Sequence, residues 1–95
     1  AVPVLPGAWQ AADDCLYTAA GQRNRNHTGP FVQFEKVPFP MEEILFDPQT
    51  SGGLLMAVDP ADADALLAEL KGAVPSAQRV GVMRRYEGGA RIVLH

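Results

Sequence analysis

Apolar residues recur at helical spacing in two parts of the chain. In the first part the apolar positions are followed by Gly21, so we expect a helix that ends there. Its apolar stripe consists of Ala8, Ala12, Cys15, Leu16 and Ala19. Because Cys15 lies on this stripe, next to aspartates rather than cations, we expect a buried structural cysteine.

The second helical pattern begins at Asp59-Pro60. Asp59 can accept hydrogen bonds from the first unpaired N–H groups of a helix, and Pro60 suits the first helical position. Asp62 and Asp64 follow where the helix dipole favours negative charge, so we interpret them as capping residues rather than as metal ligands. The predicted buried stripe consists of Ala63, Leu66, Leu67, Leu70 and Val74.

Four segments have the composition of β-strands. Residues 31–37 alternate between apolar and polar side chains, whereas residues 54–58 are apolar on both faces, as in the middle of a covered sheet. Residues 78–86 and 90–94 are separated by Glu87-Gly88-Gly89, which predicts an antiparallel hairpin.

These elements predict an α+β fold. We expect a mixed or antiparallel sheet of about four strands with two main helices packed on it. The polar residues 21–30 predict a long surface loop, and residues 41–46 predict a single helical turn. A chain of 95 residues with 47% hydrophobic content is sufficient for one compact domain.

Charge and cysteine content exclude several functional classes. A net charge of −3 gives no electrostatic reason to expect nucleic-acid binding. The apolar runs are too short to span a membrane, and the N-terminus does not resemble a signal peptide. With one cysteine the chain forms no internal disulfide, which favours a cytoplasmic location.

Because the chain starts at Ala1 with a linker-like segment, we interpret it as a piece of a longer protein.

The most distinctive segment is the polar, glycine-rich stretch at residues 47–53. Pro48 biases Asp47 toward an extended conformation, and Gly52-Gly53 permits unusual backbone angles or the close approach of another group. The segment could be a capped loop that leads into a strand, or a loop that binds an anion or forms an interface. It is not a Walker A loop, because Lys and Ser/Thr do not follow the glycines.

The string Asp47-Pro48-Gln49-Thr50-Ser51-Gly52-Gly53-Leu54-Leu55 resembles a signature of the selenophosphate synthetase family, the selenide, water dikinases. Further resemblance occurs at residues 21–24, 43–46, 59–63 and 80–81, so that nearly the whole chain is covered. Enzymes of this family use ATP to phosphorylate selenide, and they form selenophosphate, AMP and phosphate. The resemblance implies a partial C-terminal domain, related to that of aminoimidazole ribonucleotide synthetase.

The resemblance also implies which parts of the enzyme are missing from residues 1–95. Earlier regions of the enzymes in this family, which include an N-terminal ATP-binding domain, carry the reactive Cys or selenocysteine, its neighbouring Lys, the glycine-rich N-terminal segment and the aspartates that hold magnesium and nucleotide. We therefore assign no catalytic residue and no metal ligand to this chain, and we expect it to be inactive and to bind neither ATP nor Mg²⁺ alone. The resemblance implies that the full-length enzyme is a cytoplasmic, magnesium-dependent homodimer.

For the chain itself, the resemblance implies a loop near the substrate or phosphate. This loop consists of Asp47, Gln49, Thr50, Ser51, Gly52 and Gly53. The alternative is a stand-alone binding or interaction module that is related to the family but has no catalytic part.

Overall fold

The computed structural model describes residues 2–49 and 51–95, which form two compact units. The larger unit comprises Val4–Ser51 and Tyr86–His95, and the smaller unit comprises Ala1–Pro3 and Gly52–Arg85. The larger unit contains the helices α1 (Ala8–Asp13), α2 (Ala19–Thr28) and α3 (Phe39–Phe46), a 3₁₀ turn (Gly29–Phe31), and the strands β1 (Val32–Phe34) and β2 (Ile92–Leu94). The smaller unit contains the helix α4 (Ala63–Ala73).

The first predicted helix is two helices, so this prediction was wrong. α1 ends at Asp13, and the chain reverses through Cys15, whose φ is 61°. The Cys15 N–H bonds to Ala12 O and the Leu16 N–H bonds to Ala11 O, which is the Schellman pattern of helix termination. Cys15 is exposed, so the prediction of a buried cysteine was also wrong. A cysteine in place of the usual glycine gave no sequence signal for this turn.

The polar segment 21–30 was predicted to be a loop, but most of it belongs to α2. Thr18 caps this helix, because its side chain accepts a hydrogen bond from the Gly21 N–H. Further along, Asn24 Nδ2 donates to the Phe46 carbonyl oxygen at 2.9 Å. α2 is therefore attached to α3 by polar contacts. Such contacts need no apolar residues at helical spacing, so the sequence showed no helical pattern in this segment.

The sheet of the larger unit is small and parallel. β1 pairs with β2 in the register Val32↔Ile92, Gln33↔Val93 and Phe34↔Leu94. Val32 and Phe34 are half-buried and Gln33 is exposed, which confirms the alternation predicted for this strand.

The predicted mixed or antiparallel sheet of about four strands is not found in the described residues. Residues 54–58 and 78–86 form no strand, and the predicted hairpin is replaced by the parallel pairing of β2 with β1. Leu54 is 90% exposed and Leu55 is 86% exposed. A strand that is apolar on both faces is stable only in a sheet whose two faces are covered. The described residues of the smaller unit form no such sheet. The broader prediction, a fold that combines helices with a sheet, is confirmed.

α3 carries the centre of the larger unit's core. Phe46 and Ala12 are the buried hydrophobic residues among those described. The Phe46 ring meets the Phe34 ring edge to face, with 5.6 Å between their centroids. α3 is longer than the single turn that was predicted, because Pro40 lies near its first position and begins the helix earlier.

α4 confirms the second predicted helix but starts later than expected. Its N-cap is Asp62, while Asp59 Oδ1 accepts a hydrogen bond from the Ala61 N–H in the preceding turn. Four members of the predicted stripe are half-buried, namely Ala63, Leu66, Leu67 and Leu70. Val74 is 47% exposed. Across residues 2–49 and 51–95, the helices are all too short or too polar to cross a membrane.

Candidate functional site

A cleft of about 490 Å³ lies in the larger unit, between α1, the start of α2, the end of α3 and the loop after it. Alanines of α1 and Ile44 supply much of its apolar lining. Its polar lining consists of Tyr17, Thr18, Glu43, Asp47, Gln49 and Ser51. The cleft therefore offers hydrogen-bonding groups along one side of an apolar depression.

Three of the six predicted loop residues line this cleft: Asp47, Gln49 and Ser51. Thr50 lies outside the residues that the structure describes. Gly52 and Gly53 belong to the smaller unit and are exposed. A Cβ at position 53 would meet none of the described residues within 4 Å. The functional role of the loop stays a prediction.

Asp47 is held by its backbone and by its side chain. Its N–H bonds to the carbonyl oxygens of Glu43 and Ile44 at 3.1 and 3.2 Å, which ends α3. Its backbone is then extended, with φ −65° and ψ 130°, as expected for a residue before Pro48. Its Oδ1 accepts a hydrogen bond from Thr18 Oγ1 at 2.7 Å. The chain therefore leaves α3 in a defined direction along the cleft.

Glu43 brings a buried negative charge to the wall of the cleft. The residue is 5% exposed, and its Oε1 lies 2.6 Å from Arg25 Nη2. This contact is an ion pair without hydrogen-bond alignment, while Glu43 Oε2 accepts an aligned hydrogen bond from Gln22 Nε2 at 2.5 Å. Arg25 and Gln22, both on α2, thus compensate the charge of a carboxylate that burial alone would disfavour.

Arg25 is itself fixed in place by several contacts. Its guanidinium carbon lies 5.1 Å from the centroid of the Phe39 ring and 4.9 Å from that of Phe46. Its Nη2 also donates to Glu42 Oε2 at 3.0 Å. The positive charge of Arg25 is therefore engaged by α3 and is not free to meet a ligand in the cleft.

The charges of the cleft lining favour ligand groups that donate hydrogen bonds or carry positive charge over negatively charged groups. None of the described residues that line it is Lys, Arg or His, whereas Glu43 and Asp47 are acidic. A hydrogen bond with the Cys15 side chain is the main cause that raises the pKa of Tyr17, which favours the neutral phenol over the phenolate. A phosphate group in this cleft would need its countercharge from another part of the protein.

Metal binding is not supported by the residues that the structure describes. They contain no group of three or more His, Cys, Asp and Glu side chains that could hold a metal ion. Asp47 is engaged by Thr18, and Glu43 is engaged by Arg25 and Gln22. The donor set thus does not fit Mg²⁺, which prefers oxygen ligands in octahedral geometry.

Sequence reasoning missed several residues that build this site. Thr18 was assigned to the first helix, and Gln22 and Arg25 were assigned to a surface loop. Their partners lie on or directly after α3, 29 positions away for Thr18 and 21 for Gln22. Thr18 before a run of helix-compatible residues was the one local signal, because threonine is a favoured N-cap.

The chain is similar to part of several curated proteins named selenide, water dikinase. The protein from Agathobacter rectalis is 59% identical over 81 residues, which cover 84% of this chain and 24% of that protein. The protein from Desulfitobacterium hafniense strain Y51 is 44% identical over 81 residues, covering 85% and 24%. The protein from Nitratidesulfovibrio vulgaris is 36% identical over 96 residues, covering 99% and 27%.

The chain spans about a quarter of the length of these relatives. No family model and no solved structure matches it. The similarity includes 84% to 99% of the chain, which confirms that the resemblance extends beyond the segment 47–55. The chain is therefore a homologue of the selenide, water dikinases and corresponds to about one quarter of such an enzyme.

Proposed function

We propose that this chain is the C-terminal portion of a selenide, water dikinase, which converts selenide, ATP and water into selenophosphate, AMP and phosphate. The observation that carries the proposal is the identity of 59% over 84% of the chain with the enzyme from Agathobacter rectalis. The whole enzyme would be a cytoplasmic, magnesium-dependent homodimer. Its catalytic residues and its ATP and Mg²⁺ sites would lie in an N-terminal domain outside residues 1–95.

Within that enzyme, the loop after α3 would form one wall of the substrate cleft. Asp47, Gln49 and Ser51 already line a common depression, and Thr50, Gly52 and Gly53 continue the same segment of sequence. The acidic lining supports a wall that accepts hydrogen bonds or faces a positively charged group. The countercharge for the phosphates would come from the N-terminal domain.

The complete protein would also finish the sheet that was predicted from the sequence. Residues 54–58 and 78–86 have strand composition, and Leu54 and Leu55 are almost fully exposed. Strand partners and a covering layer from the rest of the enzyme would bury these side chains, at roughly 25 cal/mol for each Å² of apolar surface removed from water.

The role of the loop can be tested in the complete enzyme by the double substitution Thr50→Ala and Ser51→Ala. We expect a decrease of about tenfold or more in selenide-dependent AMP formation, since removing a hydrogen bond realised in the transition state costs about 1–3 kcal/mol. Ser76→Ala is the matched control, because Ser76 is an exposed serine outside the loop. Unchanged turnover in the double variant would remove the direct role and leave the loop as a structural element.

Calorimetry can test whether ATP binds to the N-terminal domain or to residues 1–95. Titration of ATP with Mg²⁺ should give saturable binding to the complete enzyme and none to the purified chain of residues 1–95. Saturable binding to the chain alone would contradict the assignment of the nucleotide site to the N-terminal domain. A complete protein without selenide-dependent turnover would favour the alternative of a binding module.

A further inference from the structure

We infer that Thr18 is a positioning residue, whose hydroxyl group holds Asp47 and thereby sets the course of the loop after α3. The inference rests on the proposed function, in which this loop forms a wall of the substrate cleft. Thr18 is not part of the segment 47–53, and it lies 29 positions before Asp47 in the sequence.

The hydroxyl of Thr18 both accepts and donates a hydrogen bond. Its oxygen accepts a hydrogen bond from the Gly21 N–H at 2.9 Å, which caps α2. Accepting uses a lone pair of the oxygen and leaves its single proton for donation to Asp47 Oδ1, which lies 2.7 Å away. A hydrogen bond to an ionised carboxylate is stronger than a neutral one, so the start of α2 holds the end of α3 through Asp47.

Gly21 lies close to both partners of this bond. A Cβ at position 21 would lie 3.2 Å from Thr18 Oγ1 and 3.6 Å from the Asp47 Cα. Gly21 is also buried in this contact. The backbone of α2 therefore packs directly against Asp47, and the position of the loop follows from two contacts rather than one.

The restraint on Asp47 extends to the residues that line the cleft. The Asp47 N–H is bonded to the last turn of α3, and Pro48 has a fixed φ and no N–H of its own. These restraints leave mainly the ψ angles of Asp47 and Pro48 between α3 and Gln49, and the Thr18 bond adds a restraint on Asp47. Loss of the Thr18 bond would release the Asp47 side chain and shift Gln49 and Ser51 relative to the rest of the cleft.

The test compares Thr18→Asp with Thr18→Asn in the complete enzyme. Both residues are good N-caps, so both preserve the cap of α2. Only asparagine has a donor for Asp47, whereas aspartate places a like charge against it. We expect Thr18→Asp to lower the kcat of selenide-dependent AMP formation by roughly three- to tenfold. Thr18→Asn should retain most of the kcat of the unsubstituted enzyme.

Amide hydrogen exchange gives a readout that is independent of turnover. Thr18→Asp should speed exchange in peptides that contain Asp47 and Gln49, and Thr18→Asn should not. Thr28→Val is the control at the other end of α2, because Thr28 Oγ1 donates to Asn24 O and Thr28 is not among the described residues that line the cleft. It should leave both kcat and the exchange of these peptides unchanged.

Each result decides between the two proposals. Equal exchange at Asp47 in all variants, or equal impairment of the aspartate and asparagine variants, would overturn the inference for Thr18. Faster exchange with unchanged turnover would support the positioning by Thr18 and contradict the role of the loop in catalysis.

Discussion

Arg25 Nη2 lies 2.6 Å from Glu43 Oε1, and only 3% of the Glu43 side chain is exposed. This ion pair joins α2 to α3 at the wall of the cleft, and the exposed fraction of the Arg25 side chain is 26%. A buried pair adds little net stability, because both charges lose their hydration. Breaking the pair is costly, because it leaves one buried charge uncompensated.

Arg25→Met should therefore destabilise the larger unit. The substitution keeps an apolar stem beside Phe39 and Phe46 but leaves Glu43 without its cation, at a cost of about 3 kcal/mol in the free energy of unfolding. Urea denaturation, followed by fluorescence of Trp9 in α1, would measure this loss. Arg23→Met is the matched control on the same helix and should change the free energy by less than about 0.5 kcal/mol. Equal effects of both substitutions would show that the buried pair is not important for stability.

Cys15→Gly should stabilise the protein. Cys15 has a φ of 61° at the end of α1, and glycine adopts this conformation without the steric cost of a Cβ. The expected gain is about 0.5–1 kcal/mol in the free energy of unfolding, measured by the same denaturation.

Asp13→Gly serves as the opposite control, since Asp13 is helical and glycine should cost about 0.5–1 kcal/mol there. A loss of stability in Cys15→Gly would contradict the Schellman turn.

Cys15→Ala should lower the pKa of Tyr17. The hydrogen bond with Cys15 is the largest cause that raises this pKa above 10.0, ahead of burial and the nearby negative charges. A group with a raised folded-state pKa contributes stability that is present below about pH 10 and is lost as the pH rises through the folded-state value. NMR titration of the Tyr17 ring should show an earlier midpoint in the variant, and an unchanged midpoint would exclude the thiol as the cause.

The exposed residues 54–58 should bind an environment-sensitive hydrophobic dye when the chain is studied alone. Leu54 and Leu55 are 90% and 86% exposed on a segment that forms no strand, so two large apolar side chains face water. The double substitution Leu54→Ser and Leu55→Ser should reduce dye fluorescence severalfold. Val2→Ser, which changes a less exposed apolar residue elsewhere, is the control. Equal fluorescence in all three proteins would place the dye at another surface.

The sequence predicted the elements that depend on local patterns. α4 and β1 follow from apolar periodicity of 3.6 and 2. The segment that contains Asp47, Gln49 and Ser51 was singled out by its composition, and its functional role stays a prediction. Local patterns did not indicate α2, because its stability depends on polar contacts with α3 across 17 to 22 positions. They also did not indicate that β2 pairs with β1, since strand partners are chosen by tertiary packing rather than by the nearest turn.

The pairing of β1 with β2 has a consequence for how the protein forms. Positions 32 and 92 meet in the register, so about 60 residues of chain must be made and closed into a loop before the first ladder bond can form. The smaller unit's helix, by contrast, needs only contacts between near neighbours. On a ribosome, α1, α2 and α3 would emerge before α4, but the larger unit would acquire its sheet only after β2 had emerged as well. High contact order of this kind predicts that folding of the larger unit is the slow step.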